Sequence, residues 1–213
     1  MDTPTPRIVF PHSPTRFISE AERQQRLQAV KQGRPPGPLW VFAFGSLMWN
    51  PCFDYDQREV AVLDGWERKF SIWTTLARGT PERPGLGLCI EEGKASCKGL
   101  VYRLLAENED DDWQKLWDRE MVSGIYRAIW ADMTLENGKA VTALTFVVDR
   151  SHRQYAGGMG ISEMSEIIAG AAGKYGACGD YLQSTVEELA KIGEDDTYLN
   201  TLLAAVNRCR EKG

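Results

Sequence analysis

Histidine is the scarcest functional residue in this 213-residue chain: only His12 and His152 occur. A His-built metal centre and a Ser-His-Asp triad are therefore poorly supplied. Cysteine offers little more. Cys52, Cys89, Cys97, Cys178 and Cys209 are odd in number and widely spaced, with no C-x-x-C pair. That pattern argues against a zinc site and against a disulfide scaffold, and it fits a reducing, cytoplasmic setting. Long apolar runs are missing too. Nothing approaches the ~18 residues of a membrane span, and the N-terminus has no signal-peptide core. Positive charge is not in excess, since 25 Lys and Arg face 30 Asp and Glu for a net charge of −5. No basic patch stands out, so neither nucleic acid nor an anionic membrane is expected as a partner. The oligomeric state is left open.

What is present is enough apolar sequence, 43%, for a sizeable core. Residues 1–38 read as an arm and a short helix, and residues 39–213 as one domain. Met1–Pro14 is Pro/Thr-rich and aperiodic, an extended or loosely attached arm. Ser19-Glu20-Ala21-Glu22 has a capping-box pattern and opens a polar helix to about Lys31, stopped by the Pro/Gly run 33–38.

From Pro51 onward the pattern is mainly strand. Candidates are Glu59–Leu63 and Arg68–Thr75 separated by a turn at Asp64-Gly65, then Leu86–Glu91 and Lys98–Leu105 joined through Gly93. Tyr126–Leu135 and Lys139–Asp149 form a hairpin across Asn137-Gly138. One helix interrupts them, about Asp111–Ser123, with Asn108 or Asp110 as cap and Gly124 as stop. Beyond residue 160 the periodicity turns helical. Ile161, Met164, Ile167, Ile168, Ala171, Ala172 and Tyr175 share one face, and two further stripes follow. The expected fold is α+β: a small closed or nearly closed β-barrel flanked by helices, with a helical C-terminal segment.

Two stretches carry the chemistry. Leu39–Phe44 is a continuous apolar run that reads as a strand buried on both faces. It breaks at Gly45-Ser46, which suits a loop whose N–H groups face a cavity and hold a carboxylate or developing oxyanion. An ordinary turn between two core segments fits the same residues. The second stretch is the middle helix. Its apolar stripe of Trp113, Leu116, Trp117 and Met121 also passes through Glu120, whereas Asp118 and Arg119 fall off it. Glu120 should then face the core, where burial raises a carboxylate's pKa toward what a general base needs. A structural ion pair with Arg78, Arg119 or Arg127, or a rotated helix with Glu120 at the rim, fits equally well.

Other candidates stand beside their plainer readings. Cys89 and Cys97 suit small core positions. His152, in the polar loop 149–153, reads as a base or as merely solvated. Arg78, in a Pro/Gly loop, reads as a carboxylate clamp or as solvated. Tyr155, just before Ala156-Gly157-Gly158, hangs its hydroxyl into a cleft or packs on the surface.

Read in order, four segments resemble one family. VFAFGSLMWNP is similar to the V-F-G-Y-G-S-L-I-W motif of the ChaC-like γ-glutamylcyclotransferases, and LWDREMVSGIYR to their Y-L-D-x-R-E…G-Y segment. RGTPERPGLGL and FVVDRSHRQYAGG also resemble family segments. The resemblance implies a compact β-barrel flanked by helices and cyclising cleavage of glutathione to 5-oxoproline and cysteinylglycine, without a cofactor. It puts the catalytic glutamate on Glu120 and the substrate loop on Val41, Phe42, Ala43, Phe44, Gly45, Ser46 and Leu47. The family's tyrosine before Gly-Ser is Phe44 here, and the glycine before that is Ala43. A relative acting on other γ-glutamyl amides or amines, or a non-catalytic binder of γ-glutamyl compounds, uses the same pocket.

Overall fold

The computed structural model describes residues 17–212. The expectations for the Met1–Pro14 arm and for His12 lie outside the described residues. The chain opens with helix α1 (Glu20–Gln32), capped by the Ser19 side chain, which accepts from the Glu22 N–H at 3.1 Å. Strand β1 (Trp40–Ala43) follows, then a single 3-10 turn at Ser46–Met48. Next come β2 (Tyr55–Thr74), β3 (Gly85–Leu104), helix α2 (Glu109–Glu120), β4 (Tyr126–Leu135) and β5 (Ala140–Val148). Helix α3 (Ile161–Gly170), the short strands β6 (Ala172–Gly173) and β7 (Gly176–Ala177), and helices α4 (Cys178–Lys191) and α5 (Thr197–Lys212) complete it.

The strands close into a barrel in the order β1-β3-β2-β4-β5. All ladders are antiparallel except β1 with β5, which are parallel and meet at Val41–Leu144. β1 sits between two apolar clusters, as its unbroken hydrophobic run predicts. Val41 and Ala43 pack into the larger cluster, shared with the helices, and Phe42 packs into the second.

Three expectations are corrected. Asp64-Gly65 is not a turn between two strands. β2 runs through it, with a register shift between Asp64 and Trp66 and Gly65 at φ +81. Gly65, in the left-handed region, stands opposite three β3 residues, Gly93, Lys94 and Ala95, so the two extra residues of the bulge lie on β3 and the ladder resumes at Trp66–Glu92. β3 likewise continues through Gly93, so the four short strands expected are two long ones of 20 residues each. The third correction concerns the helix after residue 160, which stops at Gly170 short of Tyr175. Lys174 and Tyr175 instead donate their backbone N–H groups to the Leu76 and Ala77 carbonyls, and Tyr175 is exposed. A Gly/Ala-rich segment has little side-chain surface to hold a helix on the core, so pairing to the neighbouring loop prevails.

Helix α2 ends at Glu120, with Met121 as its C-cap, three residues earlier than Ser123. Asn108 stands at the N-cap without a side-chain capping bond; its Nδ2 donates to Asp54 Oδ2 instead, at 3.5 Å. Buried Trp113, Leu116 and Trp117 fasten its inner face, and the Trp117 indole donates to the Arg23 carbonyl of α1 at 2.8 Å. This clamp fixes the rotation of α2 and thereby the direction of Glu120. No helix among the described residues is long and apolar enough to cross a membrane.

Candidate active site

The last turn of α2 and the end of β1 meet over a narrow pocket. Its walls are Phe42, Ala43, Phe44, Gly45, Ser46 and Leu47 from β1 and the loop after it, with Leu88, Glu120, Tyr126, Phe146 and Tyr181. The two stretches singled out by sequence, far apart along the chain, therefore share one cavity. The Glu120 side chain is 18% exposed and opens on this space from an otherwise apolar stripe. Burial pushes its carboxyl above the ordinary range, and the neighbouring Arg119 pulls it partly back. The helix is thus not rotated away. The Arg119 Nε lies 3.6 Å from Glu120 Oε1, so an ion pair and a base-like environment coexist.

Arg119 does more than reach water. Its Nη1 donates to the Asn50 carbonyl at 2.7 Å and its Nη2 to the Ser46 hydroxyl at 2.9 Å. It ties the carboxylate-bearing helix to the Gly-Ser loop. In that loop the N–H groups of Gly45, Ser46 and Leu47 are bonded to no other group among the described residues. Three free donors beside a carboxylate of raised pKa make a basic group next to a set of oxyanion or carboxylate ligands.

Two phenols complete the pocket. Burial, and then the charge of Glu120, push Tyr126 and Tyr181 well above the usual tyrosine range, so both stay protonated. Tyr126 donates to the Leu88 carbonyl at 3.0 Å. The Tyr181 hydroxyl bonds to nothing among the described residues and lies against Gly45, where an added Cβ would meet it at 3.1 Å.

Val41 is fully buried in the barrel and does not line the pocket. Arg78 does not line it either. Its guanidinium donates to the Tyr175 carbonyl and stacks 5.2 Å from the Tyr181 ring, bracing a wall residue from behind. Tyr155 turns elsewhere. Its hydroxyl donates to Glu91 Oε2 at 2.7 Å, an atom that also accepts from Arg150 Nε at 2.8 Å. His152 lies in the same outer loop, where burial lowers its pKa. Cys89 is buried, its thiol pushed up to about 12, as a core cysteine should be. Among the described residues no group of three or more His, Cys, Asp or Glu side chains is placed to hold a metal.

Residues 39–209 match the family of ChaC-like proteins. The chain belongs to the ChaC-like family. Among its ChaC-like relatives, the glutathione-specific γ-glutamylcyclotransferase of Escherichia coli (strain K12) is 37% identical over 191 residues, 89% of this chain and 82% of that protein. Glutathione-specific γ-glutamylcyclotransferase 1 of Danio rerio is 29% identical, covering 79% of this chain and 88% of its own. A crystal structure of a yeast γ-glutamylcyclotransferase specific to glutathione superposes with a TM-score of 0.75 at 21% identity, covering 83% of this chain and 98% of that one. That last likeness establishes the ChaC-like barrel fold.

Leu88, Tyr126, Phe146 and Tyr181 are wall residues that sequence reasoning passed over, and Arg119 was foreseen only as an ion-pair partner of Glu120, not as the link to the Gly-Ser loop. For Tyr181 a signal existed. It falls three residues after Cys178 and four before Thr185, both buried on α4, so a phenol sits on an apolar stripe as Glu120 does. Arg119 carried no such signal, because its loop partners come from 69 and 73 residues away.

Proposed function

We propose that this chain cleaves glutathione by intramolecular cyclisation, releasing 5-oxoproline and cysteinylglycine, and so acts as a lyase. The observation that carries the reading is one pocket holding Glu120, with its raised pKa, beside the unbonded N–H groups of Gly45, Ser46 and Leu47. The names of the Escherichia coli and Danio rerio relatives support glutathione as the substrate.

The chemistry needs few parts. Glutathione carries a free α-ammonium on its γ-glutamyl residue, within reach of its own γ-carbonyl. Glu120 takes a proton from that ammonium, and the freed amine attacks the γ-carbonyl carbon to close a five-membered ring. The carbonyl oxygen becomes an oxyanion, for which the loop N–H groups serve as donors. Glu120 returns its proton to the departing cysteinylglycine nitrogen as the C–N bond breaks. The ring nitrogen sheds its second proton, again through Glu120, to the same departing nitrogen, which leaves as an ammonium; two protons leave one nitrogen and two reach the other, no water is consumed, and no bond to the enzyme forms. Phe44, Gly45, Ser46 and Leu47, with Phe42 and Ala43 behind them, hold the substrate folded for closure. Val41 and Arg78 act from behind this wall as supports of the substrate site, whereas Tyr155, bonded to Glu91, stands apart from it.

The activity is assigned to residues 39–213 as one domain, with α1 preceding it. The scattered, free cysteines support a cytoplasmic setting. Incubation of the purified protein with glutathione tests the reading. Equimolar 5-oxoproline and cysteinylglycine are expected, and release of glutamate in place of 5-oxoproline would overturn it.

A further inference from the structure

We propose that Arg68 is a positioning residue that sets which way the Gly45 N–H points, and so sets how strongly the pocket holds the γ-carbonyl oxygen during ring closure. The inference rests on the cyclisation reading above. Arg68 lies on β2 and is only 4% exposed, an unusual place for a guanidinium. A buried cation persists only when its donors are used, and Arg68 uses them on three separate elements. Its Nε donates to the Phe44 carbonyl at 3.0 Å. Its Nη2 donates to the Lys98 carbonyl of β3, and its Nη1 lies 3.6 Å from Asp196 Oδ2. Asp196 in turn accepts the Leu199 N–H at 3.0 Å and caps α5.

The bond to Phe44 is the one with a chemical consequence. The carbonyl of Phe44 and the N–H of Gly45 belong to a single peptide unit. No peptide bond among the described residues is cis, so the two groups point in opposite directions. Arg68 is not a wall of the pocket, whereas Gly45 is. Drawing the carbonyl toward Arg68 therefore turns the N–H away from Arg68 and, in this proposal, into the pocket that Gly45 lines. That N–H bonds to nothing among the described residues. Without a partner for the carbonyl, the peptide unit is free to rotate and bring an oxygen, with its negative end, where the oxyanion forms. The orientation is thus referenced to β2, β3 and the α5 cap instead of to the loop itself.

Glutamine and methionine separate this role from simple packing. Gln Nε2 stands as many bonds from the backbone as Arg Nε and keeps a donor for Phe44. Met has the same reach without one. With wild-type turnover of glutathione as reference, Arg68→Met should lower kcat by about 10–100-fold with KM within about threefold. The acid limb of its pH profile should stay in place, since Glu120 is untouched. Arg68→Gln, which keeps the Phe44 donor, should turn over faster than Arg68→Met, by up to the whole of the loss seen in Arg68→Met. Equal kcat values for the two variants, whether high or low, would overturn the inference. Should the variants fail to fold, the wild-type protein labelled with 15N-glycine provides the second measurement. Titration with 5-oxoproline, whose lactam carbonyl is the former γ-carbonyl, should move the Gly45 amide proton downfield more than any other glycine. An unmoved Gly45 amide would overturn it as well. Wild-type protein that forms no 5-oxoproline would instead sink the cyclisation reading itself.

Discussion

The guanidinium of Arg119 donates to the Ser46 hydroxyl at 2.9 Å while its Nε stays 3.6 Å from Glu120. One side chain thereby links the Gly-Ser loop to the Glu120 carboxylate.

Arg119 lowers the Glu120 pKa while burial raises it, and burial is the larger effect. Arg119→Met should therefore push Glu120 further up. A base must be ionised to act, so the acid limb of kcat/KM should move to higher pH. A limb that stays in place or moves to lower pH would show that Glu120 does not govern it.

The same shift bears on stability. Because Glu120 is raised in the folded state, that state binds the proton more tightly than the unfolded chain does. The group therefore subtracts stability at neutral pH, and the loss diminishes as pH falls through its folded-state pKa. Glu120→Gln should melt at or above the wild-type temperature at pH 7, and the difference should shrink on acidification. A lower melting temperature at pH 7 would mean that the ion pair with Arg119 outweighs desolvation.

Gly45→Ala tests the space beside the donors. The added Cβ meets Leu88 Cδ2 and the Tyr181 hydroxyl at 3.1 Å each, inside the pocket. Displacing substrate there should cost kcat/KM about 10²-fold, the scale of a small misplacement of reacting groups. Unfolding midpoints should change little. Unaltered turnover would place the reacting atoms away from this loop.

Much of this arrangement was legible before any coordinates. The run Leu39–Phe44 and the stripe through Glu120 are local patterns, and the structure brings the two to one pocket. The long hairpin of β2 and β3 was not, because Asp64-Gly65 is the same pair of residues in a turn and in a bulge. Only cross-strand pairing to Cys97 and Ser96 on one side, and Glu92 on the other, decides between them. Tyr155 was misjudged for a related reason. Its hydroxyl is claimed by Glu91, 64 residues away, and a loop sequence carries no trace of such a partner. Arg68 is the same case, a strand residue whose use depends on Phe44, Lys98 and Asp196 arriving from elsewhere.

Phe44 occupies the place where related motifs carry tyrosine, and it lines the pocket half-buried. Phe44→Tyr should stay soluble and active, with KM for glutathione unchanged or lower. An inactive but folded variant would show that the pocket is packed around the bare ring and favours a different γ-glutamyl compound.

The most direct measurement is 5-oxoproline formation by wild type and Glu120→Gln, each given glutathione and N-acetyl-glutathione. In the proposed mechanism the α-amine is the nucleophile and Glu120 is its base. Wild type should form 5-oxoproline from glutathione alone, and Glu120→Gln should be slower by about 10²–10⁴-fold. Cysteinylglycine released from the acetylated compound, or near-normal turnover by folded Glu120→Gln, would contradict the account.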